Sequence, residues 1–395
     1  MHLERGFAGA DMRRRNFSGS AIGRLRHAGR ITRWWLFGLL SFARPERLRL
    51  RPPPWPPAPA TAFVPRATIS VPVTRPIIYG KVVPEKLSRL PTESEGMEPG
   101  VTLAENVVLL PGHIFVDRRS GTILPRSYEV AMDQGAKAGL ASRPPRLLGA
   151  PDEAEELFVV EAHYIHNFAH NLLEAMPRLL LLDRAPSGIQ VVTSLPPSAT
   201  FDALARGLGV DPSRIRHFQG PVFCRRAYLP DPLIQLNRFI HPMARDAFTR
   251  LRSLGASSDI ERSERIFISR SRIARRRLSN EAAVEALFER YGFRIVHPEL
   301  LPIEAQIALF SNASMIAGLG GSAMHNTVFA DPDAKVLLVS AKQWFVETDV
   351  LINQGAGQLG YVFGEPTDEA ADAGDRSWYV DPTAVEAAIV AHFGL

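Results

Sequence analysis

Hydrophobic and polar positions follow two periods in the second half of the chain. RIFISR (265–270) is a short β-branched run ending on an arginine, which reads as a strand. Residues 281–291 place Val284, Leu287, Phe288 and Tyr291 on one helical face, with Asn280 in the capping position and Gly292 at the stop. FRIVH (293–297) reads as a strand and 302–312 as a helix. SMIAG (314–318) is a strand opening into Gly318-Leu319-Gly320-Gly321-Ser322, followed by a helix over 323–330 and the strand AKVLLVS (334–340). Alternation at these lengths predicts a parallel, doubly wound sheet, whose ligands bind outside the carboxyl ends of the strands.

The first half has a different texture. From about Thr68 the pattern is short strands and turns, with a hairpin over 107–124 turning near 118–121 and a strand at 157–162. Residues from His166 onward read as a helix: Asn167, His170 and Glu174 share one face, and Leu172, Leu173, Met176 and Leu179 pack on the other. Strands at 188–194 and 222–229 and helices near 201–208 and 243–254 follow, with 252–264 as linker. The expected organisation is a basic, proline-rich arm over 1–66, either disordered or on a membrane surface, an α/β domain over 67–255 and a Rossmann-like domain over 256–395.

Composition is ordinary for 395 residues, 46% hydrophobic and 22% charged, enough for two domains. Charge is not evenly spread. Of the net +5, residues 1–51 carry +9 (twelve Arg against Glu4, Asp11 and Glu46), leaving −4 for the rest. That pattern argues against a nucleic-acid-binding body. Within the arm, WWLFGLLSFA (34–43) is flanked by arginines and falls short of the roughly 20 residues a spanning helix needs. Residues 24–51 therefore suit the headgroup layer of an anionic membrane, which would make a cytoplasmic protein peripheral at the membrane's inner face. PPPWPPAPA (52–60) is a stiff spacer. Cys224 is the single cysteine, set among apolar residues as a structural thiol, which excludes an internal disulfide framework.

Two clusters carry candidate chemistry. A strand-to-helix turn lined by Gly318, Gly320 and Gly321 lets an anion approach backbone N–H groups at the positive end of a helix. Arg270, an exposed strand-end arginine, and Arg272 lie at the end of another strand of the same sheet and add charge-assisted bonds to phosphate. Together they point to a nucleotide or nucleotide-sugar site. The second cluster is His163, Tyr164, His166, Asn167, His170, Glu174 and Arg178, a polar face suited to binding a hydroxylated ligand and moving its proton. HNFAH has the spacing of a zinc helix but lacks its glutamate, so no metal site is expected.

Three blocks in these clusters resemble the family 61 glycosyltransferases. NFAHNLLEAMPRL (167–179) is similar to that family's N-[FY]-x-H-x-[LI]-x-E-x-[LM]-P-R-L block. RIFISRS…RRRLSNE (265–281) is similar to its arginine strand and N-E helix start, and PIEAQIALFSNASMIAGLGGSAMHNTVFADPDAKVLLV (302–339) to its E-x-Q, G-x-x-G and N-x-x-F series. The match runs from about residue 100 to 340 in the family's order, and the bacterial branch includes proteins of capsular polysaccharide biosynthesis. The resemblance implies two facing Rossmann-like domains (the GT-B arrangement). It also implies inverting transfer of a hexosyl or pentosyl group from a nucleotide sugar to a glycan or polysaccharide hydroxyl, with no cofactor and no obligate divalent metal. On this reading Gly318–Ser322, Arg270, Arg272 and either Arg275 or Arg277 hold the diphosphate, while Glu304 and Asn326 orient nucleoside or sugar. His166, Asn167 and Arg178 line the acceptor side, and His170 or Glu174 is the base. One departure is Gly320, where the family often has histidine in the turn; His325 either compensates or is a variant. The rival readings are a scaffold without catalysis in a polysaccharide assembly complex and a dinucleotide-dependent oxidoreductase. The latter lacks the ribose-binding acid expected after the glycine turn, since the strand there ends on Ser340.

Overall fold

Alternate residues of the strand Arg265–Ile268 enter different cores: Ile266 and Ile268 face one side, Phe267 the other. The same alternation runs through Met315–Leu319 and Lys335–Ala341, so this sheet is covered on both faces, as parallel sheets are. The computed structural model describes residues 67–128, 152–354, 358–368 and 375–395. The expected arginine-rich arm and proline spacer lie outside the described residues. No helix among the described residues is long and apolar enough to cross a membrane.

The C-terminal sheet has seven strands. Five are parallel, in the spatial order Arg294–Val296, Arg265–Ile268, Met315–Leu319, Lys335–Ala341, Gln358–Pro366. In chain order that is 2-1-3-4-5, with the change of winding direction between Arg265–Ile268 and Met315–Leu319. Ile77–Tyr79, from far earlier in the chain, extends the edge in parallel beside Gln358–Pro366, and Trp378–Tyr379 joins antiparallel. Helix Glu281–Arg290 covers one face through Val284, Leu287 and Phe288, with Phe288 stacked on Phe267 at 4.3 Å between ring centroids. Each such fully buried side chain contributes about 1.5–3 kcal/mol. Asn280 occupies the helix's capping position but makes no cap bond; its amide donates to the Val380 carbonyl at 2.8 Å.

The second sheet has six strands, ordered Ile114–Asp117, Val101–Leu110, Val222–Pro230, Asp152–Val159, Gln190–Thr193, Ile215–His217. The first three are antiparallel neighbours and the last four are parallel. The hairpin expected to turn near 118–121 turns earlier, between Leu110 and Ile114, where Gly112 and His113 hold φ +83° and +64°. A second turn at 118–121 brings Ile123 back beside Val116. One face of this sheet packs Phe158 and Val191 into the same core as Ile266, Ile316 and Leu338 of the other sheet. Leu172, Leu173, Met176 and Leu179 enter that shared core, and Cys224 lies on the opposite face, where burial pushes its thiol up to about 11. The architecture is mixed α/β, with one mostly parallel sheet.

Candidate active site

The first cluster of polar side chains grows from the carboxyl end of Asp152–Val159. The chain continues through Glu161 and His163 into a helix that begins at Phe168, capped by Asn167, whose Oδ1 accepts from Ala169 N at 2.9 Å. Phe168–His170 is α-helical, but Asn171–Ala175 is a π turn, with Met176 N donating to the Asn171 carbonyl, and Met176–Arg184 winds as 3₁₀. The cause is local. Pro177 has no N–H to return to Leu173, and its ring crowds that turn, so the helix widens ahead of it.

The widened turn sets Glu174 under His170. Glu174 Oε2 accepts from His170 Nδ1 at 3.0 Å and from the His163 N–H at 2.9 Å. Burial alone would raise the Glu174 carboxyl. The bond and charge of His170, the His163 N–H and the Arg178 charge outweigh it and hold the group below its ordinary value. A carboxylate only accepts, so the shared proton belongs to His170 Nδ1, and in the neutral ring the lone pair is then on Nε2. Nε2 makes no hydrogen bond among the described residues, whereas Glu174 Oε1 is buried without a partner. Tyr164 stands edge-on to His170 at 4.9 Å between centroids.

Beneath the pair lies a second buried layer. Arg178, 1% exposed, donates to His113 Nδ1 at 3.3 Å, and His113 Nε2 donates to the Arg126 carbonyl at 3.0 Å. Glu161 is fully buried and accepts from Ser194 N at 2.6 Å and from Ser194 Oγ. Burial pushes its carboxyl up to about 7, against the Ser194 bonds and the Arg178 charge. Arg178 thus lies under the histidine, away from solvent, while His166 is exposed just ahead of the helix.

The second cluster sits at the point where the C-terminal sheet reverses its winding. Met315–Leu319 leads through Gly320 and Gly321 into Ser322–Phe329, which winds as 3₁₀ where an α-helix was expected. The glycines serve close approach. A Cβ on Gly318 would stand 2.5 Å from Met324 Sδ, one on Gly320 would stand 2.6 Å from Ser340 Oγ, and one on Gly321 would collide with the Arg270 guanidinium. The contact with Ser340 bears on the departure at Gly320, since a side chain there would require Ser340 to shift. Arg270 is half-buried, not exposed as expected. Its N–H is bonded to Glu281 Oε1 at 2.7 Å, its Nη2 donates to the Arg275 carbonyl at 3.1 Å, and burial pushes its pKa down.

The two clusters meet. Phe168–His170 packs against Ser322–Phe329, and Ser322 Oγ donates to Asn167 Oδ1 at 3.5 Å. Other expected residues lie apart from this junction. Asn326 is fully buried and donates to Gln306 Oε1 at 2.8 Å, which tethers the glycine-turn helix to Ile303–Asn312. His325 Nε2 pairs with Asp349 Oδ1 at 2.9 Å. Glu304 lies in the first turn of Ile303–Asn312, joined to neither cluster by hydrogen bond or ion pair, and Arg272 is exposed in the basic loop. Sequence reasoning passed over Glu161 and Arg276; a φ of +53° and a stack on Trp344 set Arg276 apart from its arginine neighbours, and neither leaves a mark in the sequence. Among the described residues no group of three or more His, Cys, Asp or Glu is placed to hold a metal ion.

The model of the Glycosyltransferase 61 family matches residues 168–337. That span opens on the helix bearing His170 and Glu174 and closes in the strand after the glycine turn, so it contains both clusters, and it supports a glycosyltransferase. No curated protein matches the chain.

Proposed function

We propose, from that match and the meeting of the two clusters, that the protein is an inverting glycosyltransferase of GT-B type using a nucleotide-sugar donor and a glycan hydroxyl acceptor. The observation that carries the proposal is the contact of Asn167 with Ser322, which sets the His170–Glu174 pair beside the Gly320–Gly321 turn. The donor's diphosphate lies at the turn, where backbone N–H groups and Arg270 neutralise it. His170 Nε2 takes the acceptor hydroxyl proton while that oxygen bonds to the anomeric carbon from the face opposite the diphosphate. The carbon–oxygen bond to the nucleoside diphosphate breaks with its electron pair, and the nucleoside diphosphate leaves. Glu174 holds the Nδ1 proton and stabilises the imidazolium, so of the two candidates His170 is the base and Glu174 its orienter.

Arginine and backbone N–H groups carry the leaving-group charge in this scheme, with no cofactor and no divalent ion in a required role. A polysaccharide acceptor of the capsular kind and attachment to the inner face of a membrane through residues 24–51 complete the proposal. The test is a panel of UDP-, GDP-, CMP- and dTDP-sugars. One diphosphate sugar should raise the melting temperature and, with a glycan acceptor, release its nucleoside diphosphate. NMR of the product should show the anomeric configuration inverted. Retention, or no stabilisation by any of the donors, would overturn the reading.

A further inference from the structure

The loop between Arg265–Ile268 and Glu281–Arg290 holds Arg276 with φ +53°, a left-handed conformation that penalises any residue bearing a Cβ. Three contacts enforce it. Trp378 Nε1 donates to the Arg276 carbonyl at 3.0 Å, the Trp378 N–H donates to the Arg277 carbonyl at 3.0 Å, and Leu278 bridges Trp378 in parallel. The guanidinium lies 3.8 Å over the ring of Trp344, just past the carboxyl end of Lys335–Ala341. Its Nη1 is buried and makes no hydrogen bond among the described residues. The amide of Gln343, next to Trp344, likewise has both N and O buried and unpaired.

Arg270 stands at the start of the same loop. Its guanidinium bonds the carbonyl of Arg275, the residue before Arg276, and rests against Gly321. Burial, and then the repulsion of Arg270 and Arg275, pushes Arg276 down to about 10, so the cations are within electrostatic reach. Two partly buried guanidiniums that repel each other are unfavourable without an anion to share. Their loop, Gly321 and Trp344 follow three adjacent parallel strands at the switch point of the sheet.

We propose that Arg276 is a second phosphate-binding residue, which with Arg270 takes the two phosphates of a nucleoside diphosphate, Trp344 being the platform that fixes its fork. The proposal rests on the donor reading above and sharpens it: the site selects a diphosphate over a monophosphate. Calorimetry on the full chain with UDP, GDP, their monophosphates and inorganic pyrophosphate tests it. Arg276→Gly keeps the left-handed backbone without a Cβ, so the melting temperature should hold. Diphosphate affinity should fall roughly 10- to 100-fold, the scale of a lost charge-assisted bond, with monophosphate affinity unchanged and pyrophosphate weakened in parallel.

If the unaltered protein binds a nucleoside diphosphate and Arg276→Gly binds it equally well, the assignment of Arg276 falls and the donor reading stands. A loss for nucleoside diphosphate but not for pyrophosphate would place Arg276 on the nucleoside and overturn the phosphate role. Binding of no diphosphate by the unaltered protein would remove the donor reading and this proposal with it. Should Arg276→Gly fail to fold, Arg276→Lys decides: it keeps the charge without the planar fork, and unchanged diphosphate affinity would overturn the proposal.

Discussion

Beneath His170 two buried carboxylates are driven in opposite directions. Glu174 titrates below its ordinary 4.5 when folded. It therefore contributes stability that is present above that value and lost as pH falls through the lower folded one. Glu161 titrates at about 7 when folded against 4.5 unfolded. Between those values the unfolded chain gives up this proton first, so the Glu161 term erodes stability as pH rises from about 4.5 to about 7. Glu161→Gln removes that term. Relative to the unaltered protein the variant should gain about 3 kcal/mol between about pH 5 and about pH 8. Parallel melting temperatures across that range would show that Glu161 does not titrate differently on folding. For chemistry, His170→Ala should lower kcat by about 10²–10⁴-fold with donor affinity kept. A fall in donor affinity with turnover of bound donor intact would move His170 to the donor side and make Glu174 the base.

At the level of elements, two irregular segments build the site. The π turn over Asn171–Ala175 exists because Pro177 interrupts the helix, and it places Glu174 against His170 Nδ1. Pro177→Ala lets the turn relax towards a regular α-helix. Stability should change little, but a displacement of about 1 Å in the pair can cost up to 10²-fold in kcat, with donor affinity unaffected. An unchanged kcat would show that the packing of Leu172, Leu173 and Met176, not the proline, sets the pair. In the glycine turn, Gly321 has φ 163°, an extended conformation open to any residue, so Gly321→Ala carries no backbone strain. Its Cβ would instead displace the Arg270 guanidinium. Nucleoside diphosphate affinity should drop by about tenfold or more while the fold persists, since a charge-assisted bond is lost; calorimetry with a melting curve separates the two.

Across the whole molecule, the core shared between the sheets fixes the Asn167–Ser322 junction. Every residue of the candidate site lies among the described residues, which begin at residue 67. Deleting residues 1–51 should therefore leave a folded protein active on a small soluble acceptor. The truncated chain should lose binding to anionic vesicles, because all twelve arginines of that segment are gone. Each is worth about 1 kcal/mol at such a surface, an effect that salt screens, so vesicle binding by the full chain should weaken as ionic strength rises. Equal binding by both would place the attachment elsewhere; unfolding would make the arm part of the fold.

The sequence by itself determined the strands and helices between residues 265 and 341 to within a residue or two at most ends, because a doubly buried strand and an amphipathic helix each write their period into consecutive residues. It also determined the glycine turn and the His170–Glu174 pair, both local motifs. What needed the tertiary structure was set by contacts between residues far apart in the chain. No periodicity tells Ile77–Tyr79 that it borders Gln358–Pro366, or orders the parallel strands 2-1-3-4-5. Arg270 is half-buried because Gly321 and Glu281 come to it from other elements. Glu161 is raised to about 7 because the fold buries it fully, and Arg276 turns left-handed because Trp378, 102 residues on, holds its carbonyl. Local propensity is recorded in adjacent residues, whereas burial, register and charge pairing depend on which distant surfaces the core brings together.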